Sequence, residues 1–428
     1  MKKVVQELVL FFYDLIFSLG FIVYLPFYFL RKKITIFSLI KRIGCFKAVS
    51  KKSIWVHAVS VGEVNLIEPV VDKLAESLDY SIVISTTTLT GNYLARKKYQ
   101  GVAKVIFFPL DISCIIKIFL KKINPEIVIA AETELWPNLI LRLKQRGIPF
   151  LIINGRVSYQ AFKRYQRIRP IMKHILVNCS HIGVQNNQYR QRFINLGARP
   201  EQLSITGNLK FNSIKPNKEK IEEVKKKYIS ILKPSSRELF VAASTHDPEE
   251  KIILNIYQEL CLEKSLTLLL APRHPERIAS IEKDILAKGF RPIRISKISQ
   301  LTYGKKDVFI LDTVGELLYF YSICDICFVG GTLSGSGGHN ILEPIYFLKP
   351  VLFGPSMENF SDIAGKVLQA SAGILVKSPQ QLKEKLKILL EDKGKRIDYA
   401  EAATDIFKEA DSLGKNFKMI LEGIKRCL

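Results

Sequence analysis

The sequence predicts an α/β protein with two Rossmann-like domains behind a hydrophobic N-terminal helix. Three observations predict this fold class: the chain length, two successive series of β-rich runs separated by amphipathic segments, and an apolar stretch at the start. The 428 residues exceed the ~250–300 at which a single core usually stops growing. With 48% hydrophobic and 24% charged residues, the composition is that of a globular protein and not of a disordered chain.

The first predicted element is the apolar stretch Leu8–Leu30, in which Asp14 is the one charged residue. Its uncharged part, residues 15–30, is shorter than the ~20 residues that a bilayer span needs. A tilted span, a helix in the membrane interface and a buried first helix are therefore all open. The positive cluster at residues 31–33 predicts that the protein body stays cytoplasmic, and the lack of a small-residue cleavage site argues against a signal peptide.

The first series of β-rich runs predicts a parallel sheet with helices on both faces, because helical segments separate consecutive strands. The predicted strands are Ile54–Val59, Ser81–Thr86, Lys104–Phe108, Glu126–Ala130 and Phe150–Ile153. We place this N-terminal Rossmann-like domain at residues 34–213, after a membrane-associated segment at residues 1–33.

The second series has the same rhythm and predicts a second sheet of the same kind. Its predicted strands are Leu239–Ala243, Leu266–Leu270, Val308–Leu311, Ile326–Val329 and Val351–Phe353. The lysine-rich segment 214–237 predicts a linker with a charged helix. Residues 238–428 then form the C-terminal Rossmann-like domain.

The net charge and the distribution of cysteines restrict the classes of function that the sequence allows. The excess of 64 basic over 40 acidic residues, a net charge of +24, predicts an anionic partner such as a phosphate, a nucleic acid or a membrane surface. Nucleic-acid binding is disfavoured because no RNP motif, zinc-finger spacing or lysine-rich arm is present. The seven scattered cysteines indicate a reducing compartment, and Cys324 and Cys327 are interpreted as buried thiols.

Carboxylates follow two strands of the first series, at the sheet edge where ligands bind in open α/β folds. Glu63 comes after the first strand, and the cluster Glu132-Thr133-Glu134 after the fourth. Glu63 alone could simply cap a helix, but two carboxylate sites at one edge indicate acid/base chemistry. Arg156 and Lys210 each stand beside a glycine after a later strand, where they either offset negative charge or are solvated surface cations.

In the second series, Arg273 and His274 lie in a proline-stiffened loop after a very apolar strand. An arginine fixed there can clamp a phosphate, and we favour a binding role over a base for His274.

The glycine-rich loop 330–338 follows another strand of the second series. Its amide groups can approach an anion closely, together with the positive end of a helix expected near Asn340, whose Glu343 can accept ribose hydroxyls. The loop matches neither the P-loop nor the dinucleotide motif, and a merely flexible loop is the alternative.

Taken in chain order, five motifs closely resemble those of the lipopolysaccharide Kdo transferases. They are His57–Glu63, Glu132–Asn138, Gly207–Phe211, Pro272–Arg277 and Gly337–Glu343. The resemblance covers essentially the whole chain, including the hydrophobic amino terminus. Five multi-residue motifs in family order are far more specific than a single glycine loop.

The resemblance implies a GT-B glycosyltransferase, in which an acceptor domain and a nucleotide-sugar domain face each other across a cleft. The implied reaction moves 3-deoxy-D-manno-octulosonic acid (Kdo) from CMP-Kdo to the lipid A precursor lipid IVA, with inversion and without a metal or other cofactor. Carried over by motif, Glu63 is the general base, while Glu132 and Lys210 stabilise the transition state. The implied CMP-binding residues are Pro272, Arg273, Val314, Gly315, Glu316, Asn340, Ile341, Leu342 and Glu343.

The resemblance also implies partners and a location. The partners are CMP-Kdo, the lipid A precursor and the anionic lipid surface of the inner membrane on its cytoplasmic side, with no nucleic acid. The nearest alternative is another GT-B enzyme that uses a UDP-sugar. A serine hydrolase is not expected, because the sequence lacks a GxSxG nucleophile elbow.

Overall fold

The computed structural model describes residues 2–30, 35–212, 214, 216–234, 237–298, 304, 306–408 and 411–425. The chain divides into two compact units, one formed by residues 1–213 with 410–428 and the other by residues 214–409. Each unit is built around a seven-stranded sheet whose neighbouring strands are parallel. The predicted α/β class is therefore confirmed.

Buried, β-branched runs form the sheet of the first unit. Its strands are β1 (Ser53–His57), β2 (Ser81–Thr86), β3 (Ala103–Phe107), β4 (Pro125–Ala131), β5 (Phe150–Gly155), β6 (His181–Val184) and β7 (Leu203–Ile205). Their order in the sheet is β3-β2-β1-β4-β5-β6-β7. The order reverses between β1 and β4, and such a switch point is where open α/β sheets bind ligands.

Helices cover both faces of this sheet, so that β1 is buried along its whole length. Trp55 packs on one face, and Ile54 and Val56 pack on the other, which is why the strand reads as a continuous apolar run. The helices are α1 (Lys2–Leu30), α2 (Ile36–Arg42), α3 (Val61–Leu66), α4 (Glu68–Ser77), α5 (Leu89–Lys98), α6 (Ser113–Ile123), α7 (Pro137–Gln145), α8 (Tyr159–Gln166), α9 (Arg169–Leu176) and α10 (Asn187–Leu196).

The sheet of the second unit has the same architecture. Its strands are β8 (Glu238–Thr245), β9 (Leu266–Pro272), β10 (Arg291–Arg294), β11 (Asp307–Ile310), β12 (Ile326–Val329), β13 (Val351–Phe353) and β14 (Ile374–Leu375). They are arranged in the order β10-β11-β9-β8-β12-β13-β14. The switch point of this sheet lies between β8 and β12.

The second unit also contains the charged helix predicted in segment 214–237, which is α11. Its helices are α11 (Lys218–Leu232), α12 (Glu249–Glu263), α13 (Ile278–Ala287), α14 (Leu317–Phe320), α15 (Leu342–Tyr346), α16 (Ser361–Gln369), α17 (Pro379–Glu391) and α18 (Lys393–Lys408).

The last helix, α19 (Ser412–Lys425), belongs to the first unit, although the sequence prediction placed it in a C-terminal domain of residues 238–428. Its apolar residues Phe417 and Ile420 are buried in the core of the first unit. The hydroxyl of Ser412 donates to the carbonyl oxygen of Asn208 at 3.0 Å. An amphipathic helix must cover apolar surface, and here that surface lies on the first sheet.

The predicted hydrophobic N-terminal helix is confirmed as α1. Its segment Leu10–Phe27, with a mean hydropathy of 1.9 and 6% of its residues buried, is long and apolar enough to cross a membrane by length and composition alone. The positive cluster at residues 31–33 lies outside the described residues.

Asp14, the one charged residue in this apolar stretch, forms hydrogen bonds that hold α1 against the rest of the first unit. Its carboxylate accepts hydrogen bonds from the backbone amide of Ser113, at 3.2 Å, and from Asn138 Nδ2, at 2.7 Å. Ser113 is the first residue of α6, and Asn138 lies in the first turn of α7. The positive end of α6 favours a negative charge, and the part of α1 around Asp14 is therefore held against the body of the unit.

Candidate active site

Glu63 stands at the switch point of the first sheet, in the first turn of α3 directly after β1. The backbone amide of Val59 donates a hydrogen bond to Glu63 Oε2 at 2.8 Å. Burial raises the pKa of Glu63 to about 8; the Val59 hydrogen bond opposes this rise, and the charges of Glu132 and Glu134 add to it. A carboxyl group with such a pKa exchanges a proton near neutral pH.

Glu132 follows β4, the strand next to β1 in the sheet, and has the left-handed φ of 58°. Strained backbone of this kind in a non-glycine residue is concentrated at functional sites. Arg156 Nε donates to Glu132 Oε2 at 2.9 Å, and Thr133 makes two hydrogen bonds to the backbone of Arg156. The structure thus joins the acidic loop after β4 to the cation after β5.

Glu134 completes a cluster of three carboxyl groups. Its Oε2 accepts a hydrogen bond from Trp136 Nε1 at 2.9 Å and lies 3.9 Å from His57 Nε2. Burial, with a contribution from the charge of Glu132, raises the pKa of Glu134 to about 7. Burial lowers the pKa of His57 to about 3, so this ring is neutral.

Lys210 lies in the loop after β7, at the same edge of the first sheet. The backbone amide of Leu209 donates to Asn154 Oδ1, and that of Lys210 donates to Asn208 Oδ1, both at 3.0 Å. Asn154 is in β5, two residues before Arg156. The first of these bonds therefore connects the Lys210 loop to the strand that precedes Arg156.

In the second unit, the side chain of Glu249 occupies the start of the glycine-rich loop. This carboxylate is fully buried at the start of α12 and accepts hydrogen bonds from five backbone amides. The donors, at 2.7–3.3 Å, are His246, Gly331, Thr332, Leu333 and Ser334. Sequence reasoning missed Glu249, although its position just after the switch-point strand β8 was a signal that could have found it.

Close approaches by Glu249 and His339 explain two of the glycines. A Cβ atom at Gly330 would lie 2.6 Å from Glu249 Oε2, and one at Gly331 would lie 2.9 Å from the ring of His339. Gly331 also has a φ of +70°, which favours glycine. The loop is therefore folded around a carboxylate and is not a flexible tether.

In the later part of the loop and just after it, backbone amide groups are available to a ligand. Within the described chain, the backbone N–H groups of Gly335, His339 and Asn340 donate no hydrogen bond to the protein. The helix expected near Asn340 begins at Leu342 as the five-residue α15, so its dipole is small. Asn340 Nδ2 donates to Glu343 Oε1 at 3.1 Å, and burial raises the pKa of Glu343.

Three histidines and an arginine surround the switch point of the second sheet. The rings of His246 and His339 stack with centroids 5.1 Å apart, and His274 meets His246 edge-on at 5.3 Å. Burial, with the nearby cations, lowers the pKa of His339 to about 4. Arg273 is tied to the end of β8 by a backbone hydrogen bond to Thr245 at 3.0 Å, and its side chain is exposed.

The turn of residues 314–316 follows β11 at the same edge. Val314 is 86% exposed, Gly315 has a φ of +86°, and the hydroxyl of Thr313 donates to Glu316 at 2.5 Å. The residues expected to bind CMP thus follow β9, β11 and β12 in one sheet. Among the described residues, no group of three or more His, Cys, Asp and Glu side chains is placed to hold a metal ion.

Comparison with known proteins decides the family. A family model described as 3-Deoxy-D-manno-octulosonic-acid transferase (kdotransferase) matches residues 38–213. A 3-deoxy-D-manno-octulosonic acid transferase of Haemophilus influenzae is 35% identical over 362 residues, which are 84% of this chain and 84% of that protein. The chain belongs to the Kdo transferase family. A Kdo transferase of Rickettsia bellii is 32% identical over 357 residues, 83% of each protein.

Membership of the Kdo transferase family makes the protein a glycosyltransferase enzyme, as predicted. A bifunctional glycosyltransferase/methyltransferase of Fusobacterium nucleatum is also 35% identical, over 380 residues and 87% of this chain. The chain spans only 58% of the length of that relative.

Solved structures confirm the GT-B fold of this Kdo transferase. A glycosyltransferase from Rickettsia africae superimposes with a TM-score of 0.58 at 16% identity, covering 89% of this chain and 99% of the other. A UDP-GlcNAc 2-epimerase from Neisseria meningitidis gives a TM-score of 0.58 at 14% identity, covering 88% and 100%.

Proposed function

We propose that the protein transfers Kdo from CMP-Kdo to a hydroxyl group of lipid IVA, with inversion and without a metal ion, and that Glu63 is the general base. The position of Glu63 carries the proposal: a half-buried carboxyl group at the switch point of the first sheet, beside Glu132 and Glu134, with a pKa of about 8. General bases work best when their pKa lies near the working pH.

In the proposed step, the acceptor hydroxyl oxygen attacks the anomeric carbon of Kdo while its proton passes to Glu63. The bond from that carbon to the phosphate oxygen of CMP breaks, and CMP leaves with the electron pair. Attack opposite to the leaving group inverts the anomeric centre. Glu132, held by Arg156, and Lys210 stabilise the charge of the transition state.

The second unit binds the donor in this proposal. The exposed guanidinium of Arg273, assisted by Pro272, and the amides of Gly335, His339 and Asn340 are suited to the CMP phosphate. The exposed turn 314–316 and the segment 340–343 contact the nucleoside, with the Glu343 carboxylate accepting ribose hydroxyls. Arg273 and the three backbone amide groups supply the positive charge that the departing phosphate needs.

The proposed location is the cytoplasmic face of the inner membrane. The outer face of α1 exposes large apolar side chains, among them Phe11, Ile16 and Val23, while α2 exposes Ile36 and Phe37. Because the hydrogen bonds of Asp14 hold α1 to the protein, we favour a helix that lies in the membrane interface over a free span. The net charge of +24 adds attraction to anionic lipids.

Mass spectrometry of the lipid after incubation with CMP-Kdo and lipid IVA tests the proposed function. The expected result is lipid IVA heavier by one or more Kdo residues. Transfer from a UDP-sugar, with none from CMP-Kdo, would instead identify a different GT-B enzyme.

The pH dependence of kcat/KM for Kdo transfer is expected to rise with pH through an apparent pKa near 8. Below that pKa Glu63 carries a proton and cannot accept another, so activity is lost as pH falls. The variant Glu132→Gln removes a negative charge that raises this pKa, so its rising limb shifts to lower pH. A wild-type limb centred at the ordinary glutamate value of 4.5 would be contrary to the proposal.

The variant Arg273→Ala is expected to weaken CMP binding by about 10- to 100-fold, the loss of one charge-assisted hydrogen bond. Isothermal titration calorimetry with CMP measures the effect. Lys283→Ala removes an exposed cation from α13 in the same unit and serves as the control. Equal affinities of the two variants would remove Arg273 from the phosphate site.

A further inference from the structure

A large cavity lies in the first unit, between α1 and the loops that follow β2 and β3. Its volume is about 720 Å³, within the range of ~300–1,000 Å³ that is typical of ligand pockets. The wall on the α1 side includes Phe17, Gly20 and Phe21, and Phe108 and Trp136 contribute to the rest of the lining. These side chains face one another across a space that the protein itself leaves unfilled.

The lining suits an uncharged chain. Most of it is aromatic or aliphatic, and among the described residues the one charged residue in it is Arg42. Arg42 Nη1 donates a hydrogen bond to the carbonyl oxygen of Phe108 at 3.1 Å, and its Nη2 donates one to the carbonyl oxygen of Thr87. Its charge therefore holds together two loops of the cavity, and no carboxylate of the described part of the chain lines the space. An alkyl chain gains from leaving water for such a lining.

The cavity adjoins the carboxyl cluster of the candidate active site. Trp136 donates its hydrogen bond to Glu134, and the ring of Phe108 lies with its centroid 4.0 Å from that of His57. The hydroxyl of Thr88, also in the lining, donates to the carbonyl oxygen of Val59, whose amide binds Glu63. A molecule with an apolar chain in the cavity can thus place a polar head at these carboxyl groups.

On its other side the cavity is bounded by α1, whose outer face is exposed and apolar. Phe17, Gly20, Phe21 and Tyr24 line the cavity, with Phe17 and Phe21 half-buried, while Ile16, Leu19 and Val23 are exposed. An apolar chain in the cavity therefore lies against the same helix that offers apolar side chains to a membrane.

We propose that this cavity binds one acyl chain of the lipid acceptor and so positions the acceptor sugar at Glu63. The proposal rests on the proposed function, since it gives the acceptor of that reaction a second point of attachment. It predicts that the enzyme recognises the acyl chains of the acceptor as well as its sugar. The acyl chain then strengthens acceptor binding to the first unit and has no effect on CMP binding.

A blocking variant tests the proposal kinetically. A Cβ at Gly20 would meet no atom within 4 Å, so Gly20→Phe adds a ring that fills cavity space without a clash in the fold. The matched control is Val23→Phe, which places the same ring on the outer face of α1, where Val23 is 74% exposed. Both variants introduce one phenylalanine into the same helix.

The expected result is that Gly20→Phe lowers kcat/KM for a tetraacylated acceptor by about 10- to 100-fold, as loss of several buried methylene groups does. The rate with the fully deacylated sugar phosphate and the affinity for CMP stay unchanged, and Val23→Phe behaves as wild type. Equal effects of Gly20→Phe on both acceptors, or no effect on either, would overturn the proposal. A wild-type protein that transfers Kdo to neither acceptor would refute the proposed function instead.

A binding measurement tests whether the cavity holds an acyl chain without requiring catalytic turnover. The chain has two tryptophans: Trp136 lines the cavity, whereas Trp55 is fully buried in the core and gives a constant background. An acceptor with brominated acyl chains is expected to quench Trp136 fluorescence in wild type and Val23→Phe, but not in Gly20→Phe. Quenching by brominated phosphatidylglycerol that the acceptor does not displace would overturn the proposal, because the cavity would then hold a bilayer lipid.

Discussion

Replacing Glu63 by glutamine is expected to lower kcat for Kdo transfer by about 10²- to 10⁴-fold, the usual contribution of a general base. Glutamine keeps the size of the side chain and can still accept the hydrogen bond from Val59, but it cannot take the proton of the acceptor hydroxyl. The rate is measured by mass spectrometry of the lipid product under saturating CMP-Kdo and acceptor.

Glu68→Gln provides the matched control for this experiment. Glu68 lies in the first turn of α4, and its carboxylate is paired with Lys98 outside the carboxyl cluster. We expect Glu68→Gln to retain the wild-type rate, and we expect both variants to bind CMP as the wild type does, because CMP is assigned to the second unit. A Glu63→Gln protein that is folded and fully active would end the assignment of Glu63 as the base.

Replacing Glu249 by glutamine is expected to lower the free energy of unfolding of the second unit by about 2–4 kcal/mol. Five backbone amides converge on this carboxylate. A glutamine side chain turns an NH₂ group toward some of them, and each buried donor that loses its partner costs about 1–3 kcal/mol. Urea unfolding measures the change, and calorimetry is expected to show that CMP binds more weakly because the glycine-rich loop loses its shape.

The control for Glu249→Gln is Glu259→Gln, on the same helix α12. Glu259 is exposed and paired with Lys383 on the surface, and such pairs contribute about 1 kcal/mol or less. If the two variants unfold at the same urea concentration and bind CMP equally, Glu249 does not support the loop.

The central strands of both sheets could be predicted from the sequence, because a strand buried on both faces reads as an unbroken apolar run. β1 and β8 are of this kind. The short edge strands β10 and β14 were not predicted: β10 is the polar run Arg291–Arg294, and β14 has only two residues. Packing within the folded unit, and not local sequence preference, makes these segments strands.

The candidate site likewise has features that could be predicted from the sequence and features that could not. Glu63 and Glu132 could be predicted to lie at one edge, because parallel strands end on the same side of a sheet. The position of Glu249 after β8 could have been noticed, but its hydrogen bonds to the glycine-rich loop could not be predicted, since its amide partner Gly331 is 82 residues away in sequence. The role of Asp14 likewise depends on Asn138, 124 residues further along the chain. Contacts of such long range leave no local pattern in the sequence.

The proton-accepting role of Glu63 is tested most directly by the protonation state of this one side chain. Infrared difference spectra between the wild type and Glu63→Gln, recorded across a pH titration, isolate the carbonyl band of a protonated Glu63. We expect that band to persist at neutral pH and to disappear with a midpoint near 8. A midpoint near the ordinary glutamate value of 4.5 would contradict a carboxyl group whose raised pKa prepares it to accept the acceptor's proton.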